Sequence, residues 1–293
     1  MKAVLFGKRI DNTNIGKLIL FLNKLKEYRE LEFCYHSSFY NLMQGFSQEL
    51  PDGCVFDSYD GLPSDTDIFL SLGGDGTFLE SLTMVRERVI PIAGINFGRL
   101  GFLTTACVEE NNPWIEKLIK GDYTIEERTL LHLEKEALPQ EFYPYAMNEI
   151  TIQRTTPSML EIDIAIDGQK LPKYWSDGIL VATATGSTAY SLSIGGPIVT
   201  PESKVIIIAP ISPHNLNVRP LIVPDSSTVE ISFQGRNPQA LLTVDNRSVN
   251  LEAGEKVTIT KGEFPIKSIS INNNFIAALN QKLLRGEDKR NMQ

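Results

Sequence analysis

The chain has 293 residues, of which 42% are hydrophobic and 22% are charged, and its net charge is -8. This length allows two domains with cores of their own, and the composition is typical of globular proteins. The acidic balance disfavours nucleic-acid binding, which usually needs a basic surface. The cysteines, Cys34, Cys54 and Cys107, are too few and scattered for a disulfide framework or a zinc site, so we expect a reducing, cytoplasmic setting.

The first hundred residues alternate short apolar runs with segments of helical spacing. The first run is too short for a signal peptide, and no run reaches the length of a membrane span, so we expect no membrane partner. Alternating strands and helices predict a parallel, Rossmann-like α/β sheet with helices on both faces. The predicted strands are residues 2–6, 31–35, 67–72 and 89–95, and a helix is predicted over 77–88.

The third predicted strand leads into Gly73, Gly74, Asp75 and Gly76, and a helix follows. Such a turn leaves backbone N–H groups available to phosphate oxygens, and glycines let a ligand approach the main chain. A carboxylate repels phosphate, so Asp75 is explained there if it takes a proton from a hydroxyl or holds a metal ion. A tight turn with an aspartate cap is the alternative interpretation. The spacing is neither that of a Walker A loop nor that of a dinucleotide fingerprint.

After residue 103 the runs become short and alternate apolar with polar residues, as in antiparallel strands. We therefore predict a β-sandwich-like domain over residues 103–273. Phe275, Leu279, Leu283 and Leu284 then recur at helical spacing. Because a lone helix needs a packing partner, we predict that it returns to the first domain, which would comprise residues 1–102 plus 274–293.

Two stretches of the second half carry polar groups that suit a small molecule. Asn148 and Glu149 begin a strand and offer donors and acceptors for ribose hydroxyls or an adenine edge, although a plain polar strand end is the alternative. Residues 183–193 form a dense tract of Thr, Gly and Ser after the apolar strand that follows Asp177. This tract supplies many hydroxyl and N–H groups at little steric cost, and Tyr190 could stack on a base. A capped helix start explains only one or two of these residues.

These blocks together resemble the bacterial NAD kinase family, whose members phosphorylate the 2′-hydroxyl of the adenosine ribose of NAD to make NADP. The resemblance extends over nearly the whole chain. Lipid kinases share the GGDG sequence but not the TGSTAY block. The matching blocks are GGDGT at 73–77, GINFGRLGFL at 94–103, NE at 148–149, SDGILVATATGSTAYSLSIGGPIV at 176–199 and PISPHNLNVRPLIVP at 210–224.

The resemblance implies a role for each matching residue. Asp75 would be the general base that deprotonates the ribose hydroxyl, while Gly73, Gly74 and Gly76 would shape the site of the phosphate donor. Mg²⁺ would bridge the donor oxygens, and no side chain is assigned to it. The residues implied to bind NAD are Asn148, Glu149, Asp177, Thr188, Ala189, Tyr190, Ser191, Leu192, Ser193, Asp245 and Arg247.

Some positions are given narrower roles or depart from the family pattern. By resemblance, Asp177 would accept from the nicotinamide carboxamide. Asn246 stands where the family usually has glycine, and asparagine tolerates the left-handed conformation that glycine would supply. Arg247 stands where many relatives have a neutral amide, and a cation there could favour the 2′-phosphate of NADP.

The resemblance also implies ATP or polyphosphate as the donor, a homodimer or homotetramer, and direct transfer without a covalent enzyme intermediate. A lipid or sugar kinase with the same glycine turn is one alternative, and a non-catalytic NAD(P) sensor is another. The polar tract at 183–193 argues against the first, and Asp75 argues against the second because a sensor needs no base.

Overall fold

The computed structural model describes residues 1–10, 13–46, 49–98, 101–104, 106–107, 114–215, 217–271 and 275–283. These residues form six α-helices and 21 strands. The chain divides into two compact units, the first comprising Met1–Glu127 with Ile266–Gln293 and the second Arg128–Pro265. None of the helices formed by these residues is long and apolar enough to cross a bilayer.

The elements are numbered in chain order. The helices are α1 (Ile15–Lys26), α2 (Ser37–Gly45), α3 (Asp75–Val85), α4 (Trp114–Lys120), α5 (Tyr190–Ser193) and α6 (Phe275–Leu283). The earlier strands are β1 (Lys2–Phe6), β2 (Glu32–His36), β3 (Gly53–Phe56), β4 (Ile68–Leu72), β5 (Ile92–Asn96), β6 (Ala106–Cys107), β7 (Thr124–Arg128), β8 (Leu131–Lys135), β9 (Tyr145–Ala146) and β10 (Glu149–Arg154). The later strands are β11 (Leu160–Ile166), β12 (Gln169–Lys170), β13 (Tyr174–Ser176), β14 (Gly178–Thr183), β15 (Val205–Ile211), β16 (Leu221–Pro224), β17 (Val229–Gln234), β18 (Gln239–Val244), β19 (Arg247–Glu252), β20 (Lys256–Lys261) and β21 (Ile266–Ser270).

The first unit is built on one eight-stranded sheet in the order β3-β2-β1-β4-β5-β21-β7, with β6 beside β5. Strands β1 to β5 pair in parallel, as the alternating pattern predicts. β4 is buried over its whole length, which explains why all of its residues except Ser71 are apolar. The strand order reverses between β1 and β4, and ligands of such sheets bind beyond the carboxyl ends at that point. Asp75 lies just beyond β4.

The second unit is a sandwich of two antiparallel sheets. One has the order β16-β15-β14-β10-β18-β19, and the other has β12-β11-β17-β20-β8-β9 with β13 beside β11. Ile152 and Val181 of the first sheet share one hydrophobic core with Ile162 and Phe233 of the second. The predicted β-sandwich is therefore confirmed. Tyr190 packs on the opposite face of β14 and β15, so the polar tract covers that face.

The structure places the domain boundaries elsewhere than predicted. The first unit runs to residue 127 and resumes at 266, whereas the prediction ended it at 102 and resumed it at 274. The reason is that β7 and β21 extend the first sheet, while Trp114, Ile115 and Ile269 join its core. Helix α6 belongs to the first unit, as expected, whereas Leu284 lies outside the described residues.

The cysteines require a second correction, because Cys34 and Cys54 form a disulfide. They are 20 residues apart in the sequence but stand opposite each other on the neighbouring parallel strands β2 and β3. Cys34 is buried and Cys54 is exposed. The bridge thus ties the exposed edge strand β3, which the sequence pattern does not predict, to the buried part of the sheet.

Reduction of this bridge should lower the free energy of unfolding by about 3 kcal/mol, because a cross-link that closes a loop of this length restricts the unfolded chain. Denaturant unfolding with and without a reductant measures the difference. Cys54→Ser should abolish the effect of the reductant, and Cys107→Ser should preserve it. Equal stability of the unmodified protein under both conditions would contradict the expectation.

Candidate active site

The glycine turn connects β4 to α3, with Gly74 as the N-cap and Asp75 as the first helical residue. The Thr77 N–H donates to the Gly74 carbonyl at 3.0 Å. A side chain at Gly73 would place its Cβ 2.3 Å from Thr77 Oγ1, so packing alone requires glycine there. At Gly76, in contrast, an added Cβ would meet no described atom within 4 Å. The space beside Gly76 is therefore open to a ligand.

The carboxylate of Asp75 is held by the main chain of a separate loop. Oδ2 accepts the Phe102 N–H at 3.0 Å, and Oδ1 accepts the Leu103 N–H at 3.1 Å. A Cβ at Gly101 would lie 1.8 Å from Oδ1, so the loop closes on the carboxylate only with glycine at that position. The Asp75 side chain is 35% exposed. Asp75 is therefore oriented by a neighbouring loop and still reaches solvent. A simple helix cap would accept N–H groups of its own helix, so that interpretation does not explain the two donors from the loop.

That loop is itself tightly packed. The Gly101 N–H donates to Thr104 Oγ1 at 2.6 Å. A Cβ at Gly94 of β5 would lie 2.9 Å from both the Leu103 carbonyl oxygen and the Phe78 ring. The predicted block at 94–103 thus supports Asp75, although Arg99 and Leu100 of that block lie outside the described residues. Sequence reasoning missed this role, for which the two glycines were the available signal.

In the second unit, a second carboxylate orients a predicted ligand-binding pair. Asp245 lies in the turn between β18 and β19, and its side chain has no exposure to solvent. It accepts the N–H groups of Met147, Asn148 and Glu149 at 2.9, 2.8 and 3.2 Å. Asp245, with φ of 50°, adopts the left-handed conformation, which corrects the expectation that Asn246 would do so.

Arg247 is a cation beside this buried acid. Its Nη2 lies 3.9 Å from Asp245 Oδ2 and donates to the Tyr145 carbonyl at 2.5 Å. The guanidinium also stacks on Tyr143, with its carbon 5.4 Å from the ring centre. Nε and Nη1 have no hydrogen-bond partner among the described residues. Arg247 therefore compensates the charge of Asp245 and keeps two N–H-bearing nitrogens available.

The Thr/Gly/Ser tract packs directly on Asn148. Thr183 Oγ1 donates to the Met147 carbonyl at 2.5 Å and accepts the Gly186 N–H at 3.0 Å. The Thr183 N–H donates to the Asn148 carbonyl at 2.9 Å. A Cβ at Gly186 would lie 2.1 Å from the Asn148 oxygen, so glycine is required for this approach.

Glu149 joins the same cluster through Tyr190, whose backbone N–H donates to the Glu149 carboxyl group. Burial raises the pKa of Glu149 to about 8, and the charge of Asp245 acts in the same direction, while the Tyr190 N–H opposes both. Glu149 is therefore mostly protonated at neutral pH. Its buried Oε2 has no hydrogen-bond partner among the described residues, so it can form a hydrogen bond with a polar ligand.

The other predicted NAD-binding residues fall into two groups. Residues 188–193 lie around α5, next to Glu149. Within this group, Thr188, Ala189, Tyr190 and Leu192 are half-buried, Ser191 is buried and Ser193 is exposed.

Asp177 lies apart from this group. It pairs with Arg154, whose Nε is 3.0 Å from Asp177 Oδ1, at the start of β14. Thr183 is at the other end of that strand, about 20 Å away at the usual rise per residue. Within the second unit of one chain, Asp177 therefore lies far from Asn148 and Glu149.

An oriented acid at the glycine turn of a doubly wound sheet, with a sandwich that carries a cluster of polar groups, defines a kinase that uses nucleotides. The chain matches the family model for the ATP-NAD kinase N-terminal domain over residues 59–123 and the model for the ATP-NAD kinase C-terminal domain over residues 147–271.

Relatives and solved structures of this kind match the whole chain. The NAD kinases of Flavobacterium psychrophilum and Cytophaga hutchinsonii are each 40% identical to it, over 99% of this chain and 100% of theirs. Yeast NADH kinase complexed with NADH superposes with a TM-score of 0.85 at 26% identity, over 98% of this chain and 88% of that one. An NAD kinase from Archaeoglobus fulgidus in complex with ATP gives 0.72 at 27% identity, over 97% and 99%.

The chain therefore belongs to the NAD kinase family, and its activity is the phosphorylation of NAD. The resemblance in the sequence and the predicted fold class are both confirmed.

Gly76→Ala should raise the KM for ATP at least about tenfold, equal to about 1.4 kcal/mol, and should not lower the melting temperature. The folded chain has room for the methyl group, so any loss reports the approach of the donor to the main chain. Gly45→Ala is the matched control, since it also adds a methyl group in open space. An unchanged KM for ATP would remove Gly76 from the donor site.

Glu149 should make stability depend on pH. The pKa of Glu149 is higher in the folded protein than in the unfolded chain. The stability that protonated Glu149 contributes is therefore fully present below the pKa of the unfolded chain and is lost as the pH rises through about 8. Between pH 5 and 8 the unmodified protein should lose roughly 2–4 kcal/mol more stability than Glu149→Gln. Urea unfolding at both pH values measures this, with the exposed Glu141→Gln as control. Parallel losses in the protein and Glu149→Gln would contradict the burial of this acid.

Proposed function

We propose that Asp75 is the general base of the reaction and removes the proton from the 2′-hydroxyl of the adenosine ribose of NAD. The observation that carries this proposal is the pair of N–H groups, from Phe102 and Leu103, that orient the carboxylate. Main-chain donors fix its direction without transferring a proton to it. The adjacent glycine turn offers the N–H groups of a helix start to the phosphates of ATP.

In the proposed step, the ribose oxygen gives its proton to Asp75 and forms a bond to the γ-phosphorus of ATP. The bond from that phosphorus to the β–γ bridging oxygen breaks, and ADP leaves with the electron pair. The products are NADP and ADP, and no bond forms between the enzyme and the phosphoryl group. Positioning and charge neutralisation supply most of the acceleration in reactions of this kind.

The family implies a divalent ion, for which Mg²⁺ is our proposal. Among the described residues there is no group of three or more His, Cys, Asp or Glu side chains that could hold a metal. Magnesium usually arrives on substrate phosphates and keeps several waters. The ion would neutralise charge on the donor phosphates, while the N–H groups near Gly74 and Gly76 would orient those phosphates.

For NAD, we propose that Asn148, Glu149 and Tyr190 bind the adenosine half. The bonds from Asp245 to the main chain of 147–149 support this role, because they fix the pair in one orientation. The two unpartnered nitrogens of Arg247 suit the 2′-phosphate of the product. Thr188, Ala189, Ser191, Leu192 and Ser193 would complete the surroundings of the nucleotide.

We further propose a homodimer or homotetramer. Leu221 and Ile222 are exposed on the edge strand β16, and such edges tend to pair with another chain. A second subunit would also explain Asp177, which could then meet the nicotinamide of an NAD bound to its neighbour. ATP or polyphosphate would serve as donor. We propose a cytoplasmic location, where reductants would reach the exposed Cys54.

Asp75→Asn should lower kcat roughly 10²–10⁴-fold, the usual contribution of a positioned base, while NAD still binds. Turnover of NAD and ATP to NADP gives kcat, and calorimetry gives the affinity for NAD. The melting temperature shows separately whether the altered side chain disturbs the loop. Asp60→Asn, at an exposed turn, is the matched control. Near-normal turnover of Asp75→Asn would exclude Asp75 as the base.

A further inference from the structure

Lys282 of helix α6 lies against the proposed base. Its Nζ is 3.8 Å from Asp75 Oδ2. The same ammonium group lies 4.1 Å from the centre of the Phe102 ring. The Phe102 N–H also donates to Asp75, so Lys282, Phe102 and Asp75 contact one another.

This ammonium group is held in place. The Lys282 side chain is 25% exposed, and burial lowers the pKa of Lys282, while the charge of Asp75 opposes that effect. The ring face of Phe102 provides a second favourable surface for a cation. Helix α6 is anchored beside it, since Ala278 and Leu279 are buried and the Phe275 ring lies 6.3 Å from that of Phe102.

The contacts of the carboxylate show what a cation at this position can do. Oδ2 receives the Phe102 N–H and faces Lys282, whereas Oδ1 receives only the Leu103 N–H among the described donors. A carboxylate offers about four lone-pair sites, so the Asp75 carboxylate keeps capacity for a substrate hydroxyl beside its two N–H donors. Lys282 therefore adds a contact at Oδ2 that restrains the carboxylate without using all of its lone pairs.

We propose that Lys282 is a positioning residue of the phosphoryl transfer and acts through Asp75. It keeps the carboxylate of Asp75 turned toward the hydroxyl. Lys282 neither gives nor takes a proton in the step. The inference rests on the proposed role of Asp75 as the base.

Lys282→Met should lower kcat roughly ten- to hundredfold, because a slightly displaced base loses much of its effect, and should leave the KM for NAD and ATP within about twofold. Lys282→Arg, which keeps the charge, should restore kcat to within about threefold of the unmodified enzyme. Lys120→Met is the matched control, since Lys120 is an exposed lysine that pairs with Glu116. If Lys282→Met unfolds, Lys282→Gln keeps most of the side chain and serves in its place.

The two residues together give the sharpest test. In an Asp75→Asn background, Lys282→Met should lower kcat by no more than about twofold, because a positioning residue has nothing left to position. An equal loss in both backgrounds, or a raised KM for ATP with unchanged kcat, would overturn the inference alone. Near-normal turnover of Asp75→Asn would overturn both this inference and the proposed base.

Discussion

The structure depends on hydrogen bonds from main-chain N–H groups to two carboxylates. In the first unit, Phe102 and Leu103 donate to Asp75. In the second unit, the three residues of 147–149 donate to Asp245. A carboxylate removed from water needs such donors, since leaving it without partners is costly. Each acid thus fixes the course of a loop, and residues 148 and 149 beside Asp245 are ones that we propose bind NAD.

The two carboxylates differ in their exposure to solvent. Asp75 is 35% exposed, whereas the side chain of Asp245 is fully enclosed. Burial raises the pKa of Asp245, and its three N–H donors and Arg247 act against that rise. Asp245 is therefore suited to shaping the backbone, while Asp75 is suited to chemistry on a substrate. The resemblance implied that Asp75 is the base and that Asp245 binds NAD, and the backbone contacts of Asp245 could not be read from the sequence.

Much of the fold could be predicted because the buried strands are rich in apolar residues. The expected strand at 67–72 matches β4, which is buried throughout. Strands β3 and β19 were not predicted, because most of their residues are exposed or polar. Both lie at the edge of a sheet, where pairing with one neighbouring strand forms them. The domain boundary was displaced because β21 pairs in parallel with β5, far earlier in the chain.

The glycine turn and the polar tract could be found from residue types alone. Their partners could not, because the contacts join residues far apart in the sequence. The hydrogen bond from Met147 to Asp245 spans 98 positions. The contact of Lys282 with Asp75 joins the two separate chain segments that form the first unit. Steric need for glycine is similarly hidden: Gly101 matters because of the Asp75 oxygen beside it.

In the proposed mechanism, Asp75 accepts a proton and forms no bond to phosphorus. The stereochemical course of transfer from ATP with a chiral, isotopically labelled γ-phosphate tests it most directly. A single in-line displacement predicts inversion at phosphorus in the NADP formed. Retention would mean two displacements through a phosphorylated enzyme and would contradict the account.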